Sequence, residues 1–293
     1  MSRKTKIEWT NNGATWNPVT GCSKVSPGCD HCYAEVMSRR LAHHPRYQDV
    51  TEIAGGWSGA VKCWPELINE PLLWKKPTTV FVCSMSDLFH DKVPWRFICQ
   101  VFEVMGQCKQ HTFQVLTKRP GRMDYFAEHI WEDYTVENDL SSHIWPSNVW
   151  AGTSVESQKY APRLDCLARV PAKVRFVSVE PMLGAVDLTW WLRTIDRDDP
   201  GDRAYWLKDP LAATLKELGA REGTLFGGRR LLDWVICGGE SGSRARPMHP
   251  DWVRSIRDQC VSAGVPFFYK QAMLDGKKVS LPLLDGKQWK EMP

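Results

Sequence analysis

A chain of 293 residues with 43% hydrophobic content is long enough to bury a large core. Its formal net charge of +4 is mild, so composition permits a nucleic-acid or phosphate partner without requiring one. The sequence has no apolar run long enough to cross a bilayer, and its first residues lack the apolar core of a signal peptide. We therefore expect a cytoplasmic protein with no membrane partner.

Short apolar runs alternate along the chain with amphipathic segments, which predicts strands and helices in turn. The predicted strands, rich in β-branched and aromatic residues, are 14–17, 79–83, 112–116, 148–151, 174–178, 234–237 and 266–269. The predicted helices are 33–41, 94–108, 120–131, 157–169 and 250–263. Right-handed strand–helix–strand units of this kind predict an α/β fold, a partial (β/α)6-7 TIM-like barrel of parallel strands.

The alternation extends over residues 1–293, and we expect a single domain. Two loop-rich segments interrupt it and are interpreted as insertions: about 43–77, with its glycine cluster, and about 196–230, which is charged and glycine-rich. Residues from about 271–293 are expected to form a C-terminal tail.

Polar residues follow the predicted strands at the points where the strands end. In parallel α/β folds these ends meet at one edge of the sheet, where ligands bind. The residues concerned are Ser84, Ser86, Asp87, Lys118, Arg119, Thr153, Ser154, Glu156, Glu180, Gly238, Gly239, Glu240 and Lys270. Any one serine, threonine or carboxylate could instead cap the following helix, but capping does not call for a lysine or a double glycine. The set as a whole therefore predicts a binding site.

Three of the ten cysteines lie within eleven residues: Cys22, Cys29 and Cys32, spaced C-x6-C-x2-C. In a reducing compartment this clustering indicates metal binding rather than disulfides. Three hypotheses remain open from the residues alone. They are structural zinc with His31 as fourth ligand, an iron–sulfur cluster completed by a distant cysteine, and a four-iron cluster with one iron that lacks a protein ligand.

Further motifs accompany the cysteines. They are Trp16-Asn17-Pro18, Gly21-Cys22-Ser23, Gly28-Cys29, Cys32-Tyr33-Ala34, Ser84-Met85-Ser86-Asp87-Leu88-Phe89, Leu116-Thr117-Lys118-Arg119-Pro120, Ser178-Val179-Glu180-Pro181 and Gly238-Gly239-Glu240-Ser241. The cysteine loop resembles that of the radical S-adenosylmethionine (radical SAM) superfamily, whose common motif is C-x3-C-x2-C with an aromatic residue before the last cysteine. Here the first gap is six residues and His31 occupies the aromatic position. The whole set, which covers most of the chain, resembles a family of uncharacterised radical-SAM-like proteins frequent in phages and prophages.

The resemblance implies an enzyme whose cofactors are a 4Fe-4S cluster and S-adenosylmethionine, with an external flavodoxin- or ferredoxin-like electron donor. Reductive cleavage of S-adenosylmethionine would give methionine and a 5′-deoxyadenosyl radical that abstracts hydrogen from the substrate. The resemblance assigns the cluster to Cys22, Cys29 and Cys32. It nominates as cofactor-binding residues His31, Tyr33, Ser84, Ser86, Asp87, Lys118, Thr153, Ser154, Glu156, Glu180, Gly238, Gly239 and Glu240.

Basic residues near the predicted strand ends are candidates for substrate or phosphate binding, since guanidinium groups bind phosphate bidentately. They are Arg119, Arg122, Arg244, Arg246 and Lys270. A solvated charged surface is the alternative. With the phage setting that the resemblance implies, these residues favour a nucleic-acid base or nucleotide as substrate, in DNA modification or repair. A radical SAM enzyme acting on a peptide or small molecule, and a non-catalytic DNA-associated protein with a structural iron–sulfur or zinc site, are the alternatives. We expect a monomer.

Overall fold

A curved sheet of eight strands dominates the computed structural model, which describes residues 5, 7–11, 13–52, 56–138, 145–195 and 229–293. The strands are β1 (Ala14–Trp16), β2 (Val19–Thr20), β3 (Lys62–Cys63), β4 (Thr79–Val82), β5 (Thr112–Thr117), β6 (Val149–Ser154), β7 (Arg175–Val179), β8 (Thr194–Ile195), β9 (Arg229–Arg230), β10 (Trp234–Gly238), β11 (Phe267–Leu274), β12 (Lys277–Ser280), β13 (Leu283–Leu284) and β14 (Lys287–Gln288). The insertion predicted at about 196–230 lies outside the described residues except for β9.

The sheet order is β1-β4-β5-β6-β7-β10-β11-β12. Neighbouring strands from β1 to β11 pair in parallel, and β12 pairs antiparallel with β11. The predicted partial TIM-like barrel of parallel strands is therefore confirmed. The eighth strand was not predicted, because β12 is a lysine-rich edge strand whose residues are mostly exposed and so carries no apolar run.

The helices lie between the parallel strands and pack on the outside of the curve. They are α1 (Tyr33–Arg40), α2 (Trp95–Gln107), α3 (Pro120–Tyr125), α4 (Trp131–Glu137), α5 (Arg163–Arg169), α6 (Thr189–Leu192) and α7 (Pro250–Ala263). A π-helical turn over Phe126–Ile130 joins α3 to α4, so the helix predicted at 120–131 extends to Glu137. The helix predicted at 157–169 begins only at Arg163, because Pro162 occupies its N-cap position. Among the described residues, no helix is long and apolar enough to span a membrane.

Alternate residues of each strand face opposite sides of the sheet. The outward valines pack with the helices in the main core. Inward residues, among them Phe81, Phe176 and Trp234, form a second core with Trp9. The Trp9 ring lies inside the curve, with its centroid 4.7 Å from that of Phe81 and 6.1 Å from that of Trp234. These aromatic side chains fill the inner face of the described sheet.

Candidate functional site

The cysteine loop, residues 21–32, runs from the end of β2 to the start of α1 along the carboxyl edge of the sheet. Gly21 forms a parallel bridge with Ser86, just after β4. Gly21 has φ +88°, and a Cβ there would lie 2.2 Å from the Ala60 carbonyl oxygen, so only glycine fits this turn. Cys29 ends a 3-10 turn and Cys32 is the N-cap residue of α1. The loop therefore lies at the edge where the sequence predicts a site.

A buried ion pair holds the first part of the loop. Asp87, after β4, accepts a hydrogen bond from Arg119 Nη1 at 3.0 Å, and both side chains are 8% exposed. Arg119 Nη2 donates to the carbonyl oxygen of Ser23 at 3.2 Å and to its hydroxyl at 2.9 Å. Arg119 Nη1 also lies 3.9 Å from Cys22 Sγ. The Asp87–Arg119 pair thus fixes Cys22 and Ser23 against the ends of β4 and β5.

The middle of the loop rests on Glu156, which follows β6 and is fully buried. Its Oε1 accepts a hydrogen bond from the Ser26 hydroxyl at 2.6 Å, and its Oε2 accepts one from Arg163 at 2.9 Å. Lys118 Nζ lies 3.5 Å from the same Oε1. Gly28 packs directly on this carboxylate, because a Cβ at Gly28 would lie 2.4 Å from Glu156 Cγ.

A third carboxylate holds the end of the loop. Glu240, after β10, is within 2.9 Å of His31 Nδ1 and also binds the Arg246 guanidinium. Arg246 in turn donates to the carbonyl oxygen of Pro27 at 2.7 Å and lies 3.7 Å from Asp30. Burial opposes ionisation of Glu240, but the hydrogen bonds from Arg246 and His31 outweigh it and lower the pKa of this carboxyl. Because an ionised carboxylate only accepts, His31 Nδ1 donates to Glu240.

The thiols lie in a partly desolvated environment. Burial, followed by the nearby Asp87 carboxylate, raises the pKa of Cys22 to about 12, and Arg119 acts in the opposite direction. Burial also raises the pKa of Cys32, opposed by the backbone N–H groups at the start of α1 and by Lys118. Within the described part of the chain, no three histidine, cysteine, aspartate or glutamate side chains converge as ligands of one metal ion.

Lys270 and Glu180 form a second pair of charges, on the inner side of the sheet. Lys270 follows the inward Phe268 by two residues on β11, and its Nζ donates to Glu180 Oε1 at 2.6 Å. Glu180 directly follows β7 and forms a cis peptide bond with Pro181. Both side chains keep some exposure, 13% for Lys270 and 17% for Glu180. Gly238 borders the pair, since a Cβ there would lie 3.5 Å from Glu180 Cδ.

Several predicted cofactor residues form contacts within the protein. The Ser84 hydroxyl donates to Asn17 at 3.1 Å, and Ser86 donates to the Val19 carbonyl at 2.8 Å. The Thr153 hydroxyl donates to the Thr117 carbonyl at 2.9 Å. Further such contacts are made by the Ser154 carbonyl, which accepts from Arg163, and the Gly239 amide, which donates to Gln271. Their predicted cofactor contacts stay predictions.

Tyr33 differs from these residues in its exposure. Its hydroxyl donates to the Ser84 carbonyl at 2.7 Å, yet the residue as a whole is 52% exposed. The hydrogen bond fixes the ring at the carboxyl edge of the sheet.

The predicted phosphate-binding residues do not form one cluster. Arg122 donates to the Val93 carbonyl at 2.7 Å and stacks 4.0 Å from the Trp95 ring, while Arg119 and Arg246 hold the cysteine loop. Arg244 is exposed, and no ion pair with another described residue involves it. Most of these cations therefore serve contacts within the fold.

The sequence predictions did not include Ser23, Ser26, Gly28, Arg163 and His90, all of which contribute to the fixed loop. His90 is almost fully buried, and its Nε2 lies 2.8 Å from the Ser23 hydroxyl. His90 Nδ1 accepts from the Lys92 amide, so Nε2 carries the proton that Ser23 accepts. The serines and the glycine between the cysteines were the available signal, since small polar residues suit a loop whose backbone is held from several sides.

Solved structures similar to this chain include a variant of spore photoproduct lyase, which matches 88% of the chain at 14% identity with a TM-score of 0.39. A variant of the same lyase with bound AdoMet and dinucleoside spore photoproduct matches 84% of the chain at 14% identity with a TM-score of 0.36. The chain covers 64% of the first protein and 60% of the second, less than two thirds of either.

No curated protein matches the sequence. A family model does: the one described as a protein of unknown function (DUF5131) matches residues 4–293. Because the match spans nearly the whole chain, this protein belongs to that family.

Proposed function

We propose that this protein is a radical SAM enzyme that holds a 4Fe-4S cluster on Cys22, Cys29 and Cys32. The observation that carries the proposal is the cysteine loop itself, which buried carboxylates from three strand ends hold at the ligand-binding edge of the sheet. Three thiols that lie within eleven residues, on a loop held by these carboxylates, suit a group that needs several ligands in fixed positions.

The donor set fits a cluster better than a single ion. Structural zinc needs four ligands that converge on one point, and none of the described residues forms even a group of three that does so. A four-iron cluster instead takes one thiolate on each of three irons, so these ligands lie farther apart than those of a single ion. Arg119 beside Cys22 and Lys118 near Cys32 offset the negative charge that three thiolates bring to a desolvated site.

When bound, the reduced cluster and S-adenosylmethionine would supply a 5′-deoxyadenosyl radical that abstracts hydrogen from a substrate. The chain's own residues would bind and orient the reactants. Lys118 is paired only loosely, at 3.5 Å from Glu156, and its three donors leave it able to bind the carboxylate of the methionine moiety. The Nε2 atom of His31 and the half-exposed ring of Tyr33 offer polar and stacking contacts to an adenine ring.

We propose a nucleic-acid base or nucleotide as the substrate. Glu180 and Lys270 place an acceptor and a donor side by side on the inner wall, which matches a base edge that presents an N–H next to a C=O. In a peptide backbone, by contrast, the N–H and C=O of a trans peptide bond point to opposite sides. The adjacent Glu180 and Lys270 therefore cannot bind both groups of one peptide bond at once. The exposed Arg244 adds a cation for phosphate.

Anaerobic reconstitution with iron and sulfide tests the enzyme proposal. We expect about four irons per chain, and 5′-deoxyadenosine after reduction in the presence of S-adenosylmethionine. Cys29→Ala should abolish cluster binding, whereas the control Cys166→Ala, at a free cysteine of α5, should not. Zinc without iron, or a reduced cluster that leaves S-adenosylmethionine intact, would reject the radical SAM proposal.

Ligand-observed NMR with two nucleosides tests the substrate proposal. Thymidine and 3-methylthymidine differ by the ring N–H that Glu180 would accept, so we expect weaker binding of the methylated compound. Glu180→Gln and Lys270→Met should remove that preference, and Asp285→Asn, at an exposed ion pair with Arg257, should leave it unchanged. Equal binding of both nucleosides to the unmodified protein would contradict recognition by this pair.

A further inference from the structure

Arg119 is the basic residue most closely tied to a predicted cluster ligand. Its Nη1 lies 3.9 Å from Cys22 Sγ, within hydrogen-bonding distance of a sulfur atom. The same nitrogen donates to Asp87, and Nη2 makes two hydrogen bonds to Ser23, the residue after this cysteine. The side chain is only 8% exposed, so water does not screen its charge effectively.

The guanidinium is held in a fixed position. The Asp87 carboxylate that binds it also accepts hydrogen bonds from the Thr117 hydroxyl at 2.7 Å, the Phe89 amide at 3.0 Å and the Lys118 amide at 3.2 Å. Both terminal nitrogens of Arg119 are therefore engaged inside the protein. A substrate phosphate could bind bidentately to this group only by breaking the contacts that hold the loop.

We infer that Arg119 is a positioning residue that raises the reduction potential of the cluster through the thiolate of Cys22. The inference rests on the proposed function. Reduction adds negative charge, and a buried cation that donates N–H···S to a ligand thiolate stabilises the more negative state. Asp87 acts in the opposite direction, so removal of Arg119 would also leave an unpaired carboxylate beside Cys22.

The experiment is an anaerobic redox titration of the reconstituted protein, followed by optical and electron paramagnetic resonance spectra. In Arg119→Gln we expect the ratio of reduced to oxidised cluster to fall about tenfold at a given applied potential, which is a potential about 59 mV lower for one electron. Arg119→Lys keeps a cation and should shift the potential less. The control Arg169→Gln breaks another partly buried arginine–carboxylate pair, with Asp124 between α5 and α3, and should leave the potential unchanged.

Iron analysis of each variant separates tuning from loop construction. An Arg119→Gln variant that retains its iron but has the same potential as Arg169→Gln overturns the inference. Loss of iron from both Arg119→Gln and Arg119→Lys would assign Arg119 to loop structure alone and overturn it as well. Failure of the unmodified protein to bind iron would instead reject the proposed function, so the two failures are distinguishable.

Discussion

Addition of one methyl group at Gly28 should open the cysteine loop without unfolding the barrel. A Cβ at this position would lie 2.4 Å from Glu156 Cγ, 2.5 Å from Oε1 and 2.8 Å from Cδ, all closer than van der Waals contact allows. Glu156 is fully buried and hydrogen-bonded to Ser26 and Arg163, so a shift of its side chain would break these bonds. In Gly28→Ala the loop must therefore move away.

Overpacking of this kind costs about 1–3 kcal/mol. Since each 1.4 kcal/mol changes an equilibrium tenfold, the population of the closed loop should fall about 5- to 150-fold. We expect the apparent affinity for iron to fall by the same factor, measured as retention of the cluster in competition with a chelator. The melting temperature should stay near that of the unmodified protein, because the altered contact lies outside the sheet.

Gly121→Ala is the matched control. Gly121 lies in α3, where the nearest atom to an added Cβ is Cys166 Sγ at 3.9 Å, an ordinary contact. A double-mutant cycle identifies the cause: Glu156→Ala alone should weaken iron retention, and Gly28→Ala added to it should cost nothing more. If Gly28→Ala retains iron as firmly as Gly121→Ala, the loop is not held in the position described and the reasoning is refuted.

Three further perturbations test other parts of the structure. Because the pKa of Glu240 is lowered, its ionised carboxylate stabilises the folded state above the unfolded pKa of about 4.5, and this stabilisation is lost as the pH falls through the folded pKa. Glu240→Gln should therefore make the melting temperature depend less on pH in the acid range. An unchanged dependence of melting temperature on pH would contradict this. Trp9→Ala should lower the free energy of unfolding, measured in urea, by about 3–5 kcal/mol because Trp9 fills the inner core. A decrease below about 1 kcal/mol would mean that other side chains fill the inner face of the sheet. The Arg175 side chain is 3% exposed, and its guanidinium donates to the carbonyl oxygens of Ala168 and Arg230. Arg175→Ala should lower the free energy of unfolding by about 1–3 kcal/mol because it removes the donors of these acceptors, and an unchanged free energy of unfolding would refute these contacts.

The parallel strands could be predicted from the sequence because strands buried on both faces are apolar without interruption. Phe176 and Val177 on β7 face opposite cores, and both are fully buried. The edge strand β12 and the inner role of Trp9 could not be predicted in this way. Each depends on a neighbour supplied by the tertiary structure: β11 in one case and the curved inner face of the sheet in the other.

The residues of the site were predicted more fully than their contacts. Asp87, Glu156 and Glu240 were expected at the strand ends, which is where they lie. Their partners were not predictable, because the Ser26–Glu156 contact spans 130 positions and the His31–Glu240 contact spans 209. Local patterns such as capping and periodicity report on neighbours a few residues apart and carry no information on which carboxylate meets which loop residue.

The proposed cluster explains why the carboxylates around the cysteine loop are paired with arginines. Three thiolates that held a cluster in this desolvated site would bring negative charge, and a bare carboxylate beside them would oppose both thiolate formation and reduction of the cluster. Each carboxylate that holds the loop is matched by an arginine, in the pairs Asp87–Arg119, Glu156–Arg163 and Glu240–Arg246. The loop thus gains directional hydrogen bonds without a net increase in negative charge. Loss of an arginine should therefore weaken the loop and lower the potential together, whereas loss of its carboxylate should weaken the loop and raise the potential.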